Sequence, residues 1–153
     1  MSLDSLRTDI ARLSAFDWGG ELKTIVESNV EEIANLQSNQ LYAGIDSKGA
    51  EITLEGNGYS YVTMEIKKEK GQPIDRVTWN DTGALHASLE AVVNGDTFTI
   101  ESKSEQEKFN AMIERSGEDV IGLNNYQKKV FADDITIPSI REIFKNKTGF
   151  EIS

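Results

Sequence analysis

The sequence predicts an α+β domain: a small antiparallel sheet with a long N-terminal helix and shorter helices packed around it. Three observations lead there. Apolar residues between Glu21 and Leu41 recur at helical period. Residues 87–102 read as a hairpin around Asn94-Gly95, and the segments on either side carry helical rather than alternating patterns.

At 153 residues the chain fits one domain, spanning 1–153, with residues 1–20 as an N-terminal helical segment and 21–149 as the core. A chain of this size buries roughly two-thirds of its unfolded surface. Leu3, Leu6, Ile10 and Leu13 step by three and four, which predicts a short amphipathic helix over 3–16. Trp18-Gly19-Gly20 is expected to break it. From Glu21 to Leu41 the apolar positions are Leu22, Ile25, Val26, Val30, Ile33, Leu36 and Leu41, with Glu27, Glu31 and Glu32 away from them. That predicts one helix of roughly 20 residues, about 30 Å long.

Gly44, Gly49, Gly56 and Gly58 make 43–58 loop-like around Ile52 and Leu54. Asp46-Ser47-Lys48-Gly49 has the outline of a calcium loop, but its glycine comes too early and Lys48 stands where an oxygen ligand belongs. A turn is the expectation. Ser60 caps a helix from Tyr61 to Lys70, stopped by Gly71 and Pro73. Lys67, Lys68 and Lys70 then complement the helix dipole.

Asn94-Gly95 is the preferred two-residue hairpin loop. That loop pairs Val93 with Asp96, Ala91 with Phe98 and Leu89 with Ile100 on one apolar face. Val92 with Thr97, Glu90 with Thr99 and Ser88 with Glu101 fall on the other. The same register puts His86 on the mostly polar face, exposed. Beyond it, Phe109, Met112 and Ile113 predict a helix over 105–115 ended by Gly117. Val120-Ile121-Gly122-Leu123 is a short apolar run, and Val130, Phe131, Ile135 and Ile137 predict an extended stretch. Pro138 opens a last helix carrying Ile140, Ile143 and Phe144 and ending near Gly149.

Acidic residues outnumber basic ones 26 to 16, for a net charge of −10. Nucleic-acid affinity rests on phosphate neutralisation, so no sequence-specific nucleic-acid partner is expected. The lack of cysteine removes disulfides and thiolate metal sites. With a single histidine, His86, no transition-metal site is expected. No glycine loop has phosphate-cradling spacing, so no cofactor is predicted. No apolar run approaches the ~20 residues of a membrane span, and the N-terminus has no signal-peptide pattern. The expectation is a cytoplasmic protein with no membrane partner. Trp18 and Trp79 are expected to pack rather than to bind a ligand.

The one sharp motif is Asp81-Thr82-Gly83-Ala84. It resembles the active-site signature of aspartic proteases, where two Asp-bearing loops share a proton. With one such loop the chain would have to act as a homodimeric hydrolase through Asp81, Thr82 and Gly83. Asn80 stands where that family has an apolar strand residue, and the helix at 105–115 occupies the place of its strands. The structural alternative is a turn in which Asp81 or Thr82 ends a strand and caps a helical turn through Leu85, with Gly83 supplying backbone freedom. A Ser-His-Asp arrangement around His86 has no nucleophile-elbow motif behind it.

Taken together, Asp81-Thr82-Gly83-x-Leu85-x-x-Ser88, the hairpin with Asn94 and Gly95, and the 105–115 helix ending in Gly117 resemble the tail-completion, or head–tail joining, proteins of tailed bacteriophages. The resemblance covers roughly residues 20–145. Leu41-Tyr42-x-Gly44-Ile45-Asp46 and Gly71-Gln72-Pro73-x-Asp75-Arg76-Val77-Thr78 also look like segments of phage and prophage proteins. The chain departs from the family in having Phe109-Asn110-Ala111 and Gly117 where a Tyr-Ala-x-x-x-x-x-Gly segment is usual. The resemblance implies a virion structural protein with no enzymatic activity, made in the host bacterial cytoplasm. Its partners would be copies of itself in a ring and the phage portal, neck or tail proteins. A non-catalytic binding module outside any phage is the further alternative. Sheet-edge or helix contacts would build the oligomer, and acidic faces turned into a lumen would let DNA pass by repulsion.

Overall fold

The computed structural model describes residues 2–54 and 58–152, so Gly56 of the predicted loop lies outside the described residues. In chain order the elements are α1 (Leu3–Ser14), α2 (Trp18–Ser28), α3 (Val30–Tyr42), α4 (Tyr61–Glu69), α5 (Ala84–Ser88), β1 (Leu89–Asn94), β2 (Thr97–Ser102), α6 (Gln106–Ser116), α7 (Asn125–Phe131) and α8 (Ile137–Thr148). A 3-10 turn covers Glu118–Val120, and a π-helical turn covers Ala132–Thr136. This is the expected α+β composition, with one antiparallel sheet of two strands among the described residues. The chain divides into two compact units, Met1–Asn29 with Val130–Ser153, and Val30–Lys129.

The first unit joins both ends of the chain. Its centre is aromatic: Phe16 meets Trp18 and Phe144 edge-on at 4.5 and 4.9 Å, and Trp18 stacks on Phe144 at 5.3 Å. Trp18-Gly19-Gly20 does not end a helix, as the glycines suggest, but opens α2. Asp17 is its N-cap and accepts from the Gly20 N–H at 3.0 Å. A Cβ on Gly20 would overlap the Asp17 carboxylate, so glycine leaves the cap its room. Glu21 of α2 pairs with Lys147 of α8. α1 forms as its spacing predicts, yet its apolar stripe is open, with Leu3 76% and Ile10 56% exposed.

Residues 130–137 are helical, not extended. Val130, Phe131, Ile135 and Ile137 favour strands locally, but the π turn packs against α2 and α8, and packing overrides a propensity of this size. The π turn has a covalent cause. Pro138 lies in the first turn of α8 and has no N–H, and its ring would crowd the carbonyl four residues back. The chain widens instead, and the Ile137 N–H bonds to the Ala132 carbonyl. Gly149 closes α8 at φ +79°.

In the second unit α3 packs on β1. Ile33, Leu36 and Leu41 of α3 are buried, as are Leu89, Ala91 and Ile100 of the hairpin. Met112 and Phe109 of α6, with Val120 and Leu123, complete this core. The predicted long helix is two helices. At Asn29 the backbone leaves helical geometry (φ −127°, ψ 28°), and its side chain donates to the Ile25 carbonyl at 2.7 Å. An Asn amide competing for backbone acceptors favours such a break. Hydrophobic period runs straight through it, so the pattern conceals it.

The hairpin register differs from the expected one by two residues. Leu89 lies opposite Ser102, Ala91 opposite Ile100 and Val93 opposite Phe98. Asn94 pairs with Thr97, so the loop is Gly95-Asp96 rather than Asn94-Gly95. Gly95 has φ +62°, while Asp96 is not among the residues with positive φ. That is the type II′ pattern, which wants glycine first. A two-residue shift preserves side-chain parity, so Leu89, Ala91, Phe98 and Ile100 still share a face.

Candidate functional site

The Asp-Thr-Gly segment is a turn tied to α4. Trp79 has φ +52° and Gly83 φ +85°, and the chain bends over residues 81–83. No strand precedes Asp81; residues 77–83 are irregular and lead directly into α5. The Asp81 carboxylate pairs with Lys70, the C-cap residue of α4. The Lys70 ammonium holds Asp81 below the usual carboxylate range. The Asp81 carbonyl accepts from Gln72 Nε2. Thr82 Oγ1 accepts from the Ala84 N–H at 3.3 Å, and Gly83 takes the left-handed conformation ahead of α5. Leu85 is buried. The Ser88 hydroxyl donates to the Leu85 carbonyl at 2.8 Å and meets Ser102 Oγ at 2.8 Å, closing the open end of the hairpin. At the other end the Thr97 hydroxyl donates to the Asn94 carbonyl at 3.1 Å.

Lys67 lies in the last turn of α4, where a cation complements the helix dipole. It is buried, with its ammonium 4.8 Å from the centre of the Tyr59 ring. It donates to Gln72 Oε1, Thr78 Oγ1 and the Asn80 carbonyl. A buried ammonium needs such acceptors, and two side chains and one backbone carbonyl supply them. Lys67 and Lys70 together fasten the motif to α4, one through Asn80 and the other through Asp81.

His86 is half-buried, contrary to the exposed place that the extended register assigned it, because residue 86 belongs to α5 and not to β1. Its Nε2 lies 2.7 Å from the Thr78 carbonyl. A carbonyl only accepts, so Nε2 carries the proton and Nδ1 accepts from the Ser38 hydroxyl at 2.9 Å. Burial, together with the Lys67 charge, pushes the imidazole below its ordinary range, and the Thr78 bond opposes this in part. The fold therefore brings Ser38 to His86, with a backbone carbonyl in the orienting position; Asp81 is bonded to Lys70 instead.

Asp46-Ser47-Lys48-Gly49 is the expected turn. Asp46 Oδ1 accepts from the N–H groups of Lys48 and Ala50, and the Lys48 side chain pairs with Asp119 at 2.6 Å. Trp79 packs, donating from Nε1 to Ser116 Oγ at 3.0 Å beneath the Arg115 guanidinium. Among the described residues no group of three or more His, Asp or Glu side chains is placed to hold a metal ion, and no helix is long and apolar enough to cross a membrane.

Sequence reasoning missed Ser38, Gln37 and Gln40, and the buried contacts of Lys67. Gln37 and Gln40 did carry a signal, since they occupy core-facing positions of the α3 pattern alongside Ile33, Leu36 and Leu41. No protein-family model matches the chain significantly, and no curated protein or solved structure does either.

Proposed function

We propose that this chain is a structural assembly protein of a tailed phage or prophage virion. It acts as a ring subunit in head–tail joining or tail completion and carries out no catalysis. The observation that carries the non-catalytic half is the Lys70–Asp81 ion pair. An aspartic protease needs two carboxylates sharing one proton, whereas Asp81 pairs with a cation that keeps it ionised. The motif's other members also have structural employment: Thr82 and Gly83 shape the turn, Leu85 fills the core and Ser88 ties α5 to the hairpin. The assembly half is supported by the order of elements, in which a helix is followed by the Thr-Gly-x-Leu-x-x-Ser segment, a hairpin, and a helix ending at Gly117.

Mass spectrometry of purified particles from the host that encodes the chain tests the assembly role. Presence at ring-like stoichiometry beside portal, neck or tail proteins is the expected result. Absence from particles, with no copurification of those partners, overturns it. Catalysis is tested separately. Pepstatin-sensitive cleavage of an unstructured peptide, lost in Asp81→Asn, would restore the protease reading.

A further inference from the structure

β2 has a free edge above an apolar groove. The bond from the Lys103 N–H to the Ser88 carbonyl at 2.8 Å continues the ladder, and antiparallel ladders alternate. Residues 97, 99 and 101 therefore bond toward β1, while the N–H and C=O groups of Phe98 and Ile100 point away from it. Among the described residues the sheet has two strands only, so no third strand takes up that edge. Beside it lies a groove of about 390 Å³, lined by Phe98 and Ile100 of β2, Phe109 and Ile113 of α6, and Ile121.

Edge and groove fit one occupant. A chain laid along β2 would satisfy the outward backbone groups, and its alternate side chains would fall on the same face as Phe98 and Ile100, into the groove. Its intervening side chains would stand on the opposite face, beside Thr99 and Glu101. Carboxylates outnumber cations on that face of the hairpin. Glu101 lies directly opposite Glu90 on that face, a repulsive cross-strand pair. Lys103 approaches Glu90 at 3.7 Å, leaving Glu101 without a cation of its own among the ion pairs of the described residues. A second copy of β2 would bring its own Glu90 and Glu101 to the same face, on a chain of net charge −10. A basic strand would be complementary.

We infer that the β2 edge is a docking site for an extended segment of a partner protein that alternates apolar residues with lysine or arginine. The inference deepens the assembly reading, since it states the chemistry of one partner contact, but its test is independent of particle composition.

The probe is an end-blocked seven-residue peptide alternating valine and lysine, titrated into the ¹⁵N-labelled full chain. Binding should shift the Phe98 and Ile100 amides and slow their hydrogen exchange. A valine–glutamate peptide should bind at least tenfold more weakly. Of two valine–lysine peptides N-methylated on alternate amides in opposite frames, one should lose binding at least tenfold and the other keep it, because only one edge of the peptide meets β2. Ile113→Lys and Ile121→Lys, both at half-buried positions, should each weaken binding about tenfold. No binding, equal binding of the two methylated frames, or equal binding of the glutamate peptide overturns the inference without any variant having to fold. Self-association of the free chain that Ile113→Lys abolishes would make the occupant a second copy and also overturn it. A chain that is found in particles yet ignores the peptide keeps the assembly role and loses this site.

Discussion

Gln37 and Gln40, one turn apart on α3, use their side-chain amides as a strand would use its backbone. Gln37 Nε2 donates to the Val120 carbonyl at 3.2 Å, and its Oε1 accepts from the Gly122 N–H at 2.8 Å. Gln40 repeats the pattern two residues on, donating to the Gly122 carbonyl and accepting from the Asn124 N–H, both at 2.8 Å. Val120 ends the 3-10 turn and Gly122 has φ +105°, yet residues 120, 122 and 124 all bond to the helix. Both glutamines are fully buried; their bonds to Val120 and Asn124 are buried, and the two to Gly122 are partly so. The helix thereby satisfies a stretch of irregular backbone running through the core.

Replacing Gln37 with Leu keeps volume but orphans the Val120 carbonyl and the Gly122 N–H. Each unsatisfied buried group costs about 1–3 kcal/mol, so Gln37→Leu should lose roughly 2–6 kcal/mol in urea unfolding. Gln40→Leu should lose a similar amount. The double variant should fall short of the sum, since both bond to Gly122. Additive losses would mean that the two amides act independently.

Gly83 offers a cleaner test of backbone conformation. A Cβ built on it meets nothing closer than Asn80 Oδ1 at 3.9 Å, so Gly83→Ala has room. Its φ of +85° remains unfavourable for any side chain, and the expected cost is about 1–2 kcal/mol. Thermal unfolding at fixed pH measures it. A neutral substitution would show that the turn relaxes to negative φ.

Stability should depend on pH through His86. The unfolded imidazole titrates near its ordinary pKa of about 6.5, and the folded one lies lower because burial disfavours the cation. Between the two values the unfolded chain binds more protons, so the contribution is complete above the unfolded pKa. It falls as pH drops toward the folded pKa. Urea midpoints should therefore decline on acidification through that window, and His86→Gln should flatten this part of the profile. An imidazole titrating above 6.5 by NMR would contradict the geometry.

Lys67→Met removes a buried ammonium and keeps its stem. The Asn80 carbonyl then loses its donor, and the 78–83 turn loses one of its two ties to α4. A loss of about 1–3 kcal/mol is expected. Lys70→Met should cost far less, because its pair with Asp81 is exposed and solvent-screened. A larger loss at Lys70 than at Lys67 would reverse the assignment of the main anchor.

Local chemistry made several features legible in the sequence alone. Ser60 before Tyr61, Gly117 after Ser116 and Gly149 after Thr148 mark helix ends through capping and positive φ, which are properties of one or two residues. The alternation in 89–100 set which hairpin residues face the core, because parity survives any even shift of register. What tertiary structure decided was whatever depends on a distant partner. The two-residue slip of the hairpin, the burial of Lys67 under Tyr59, the helical state of 130–137 against α2, and the pairing of Ser38 with His86 across 48 positions all arise this way. Gln37 and Gln40 show the reason most plainly. A polar residue on an apolar helix face signals that something must satisfy it, but only the folded chain supplies the backbone of 120–124, more than 80 residues away.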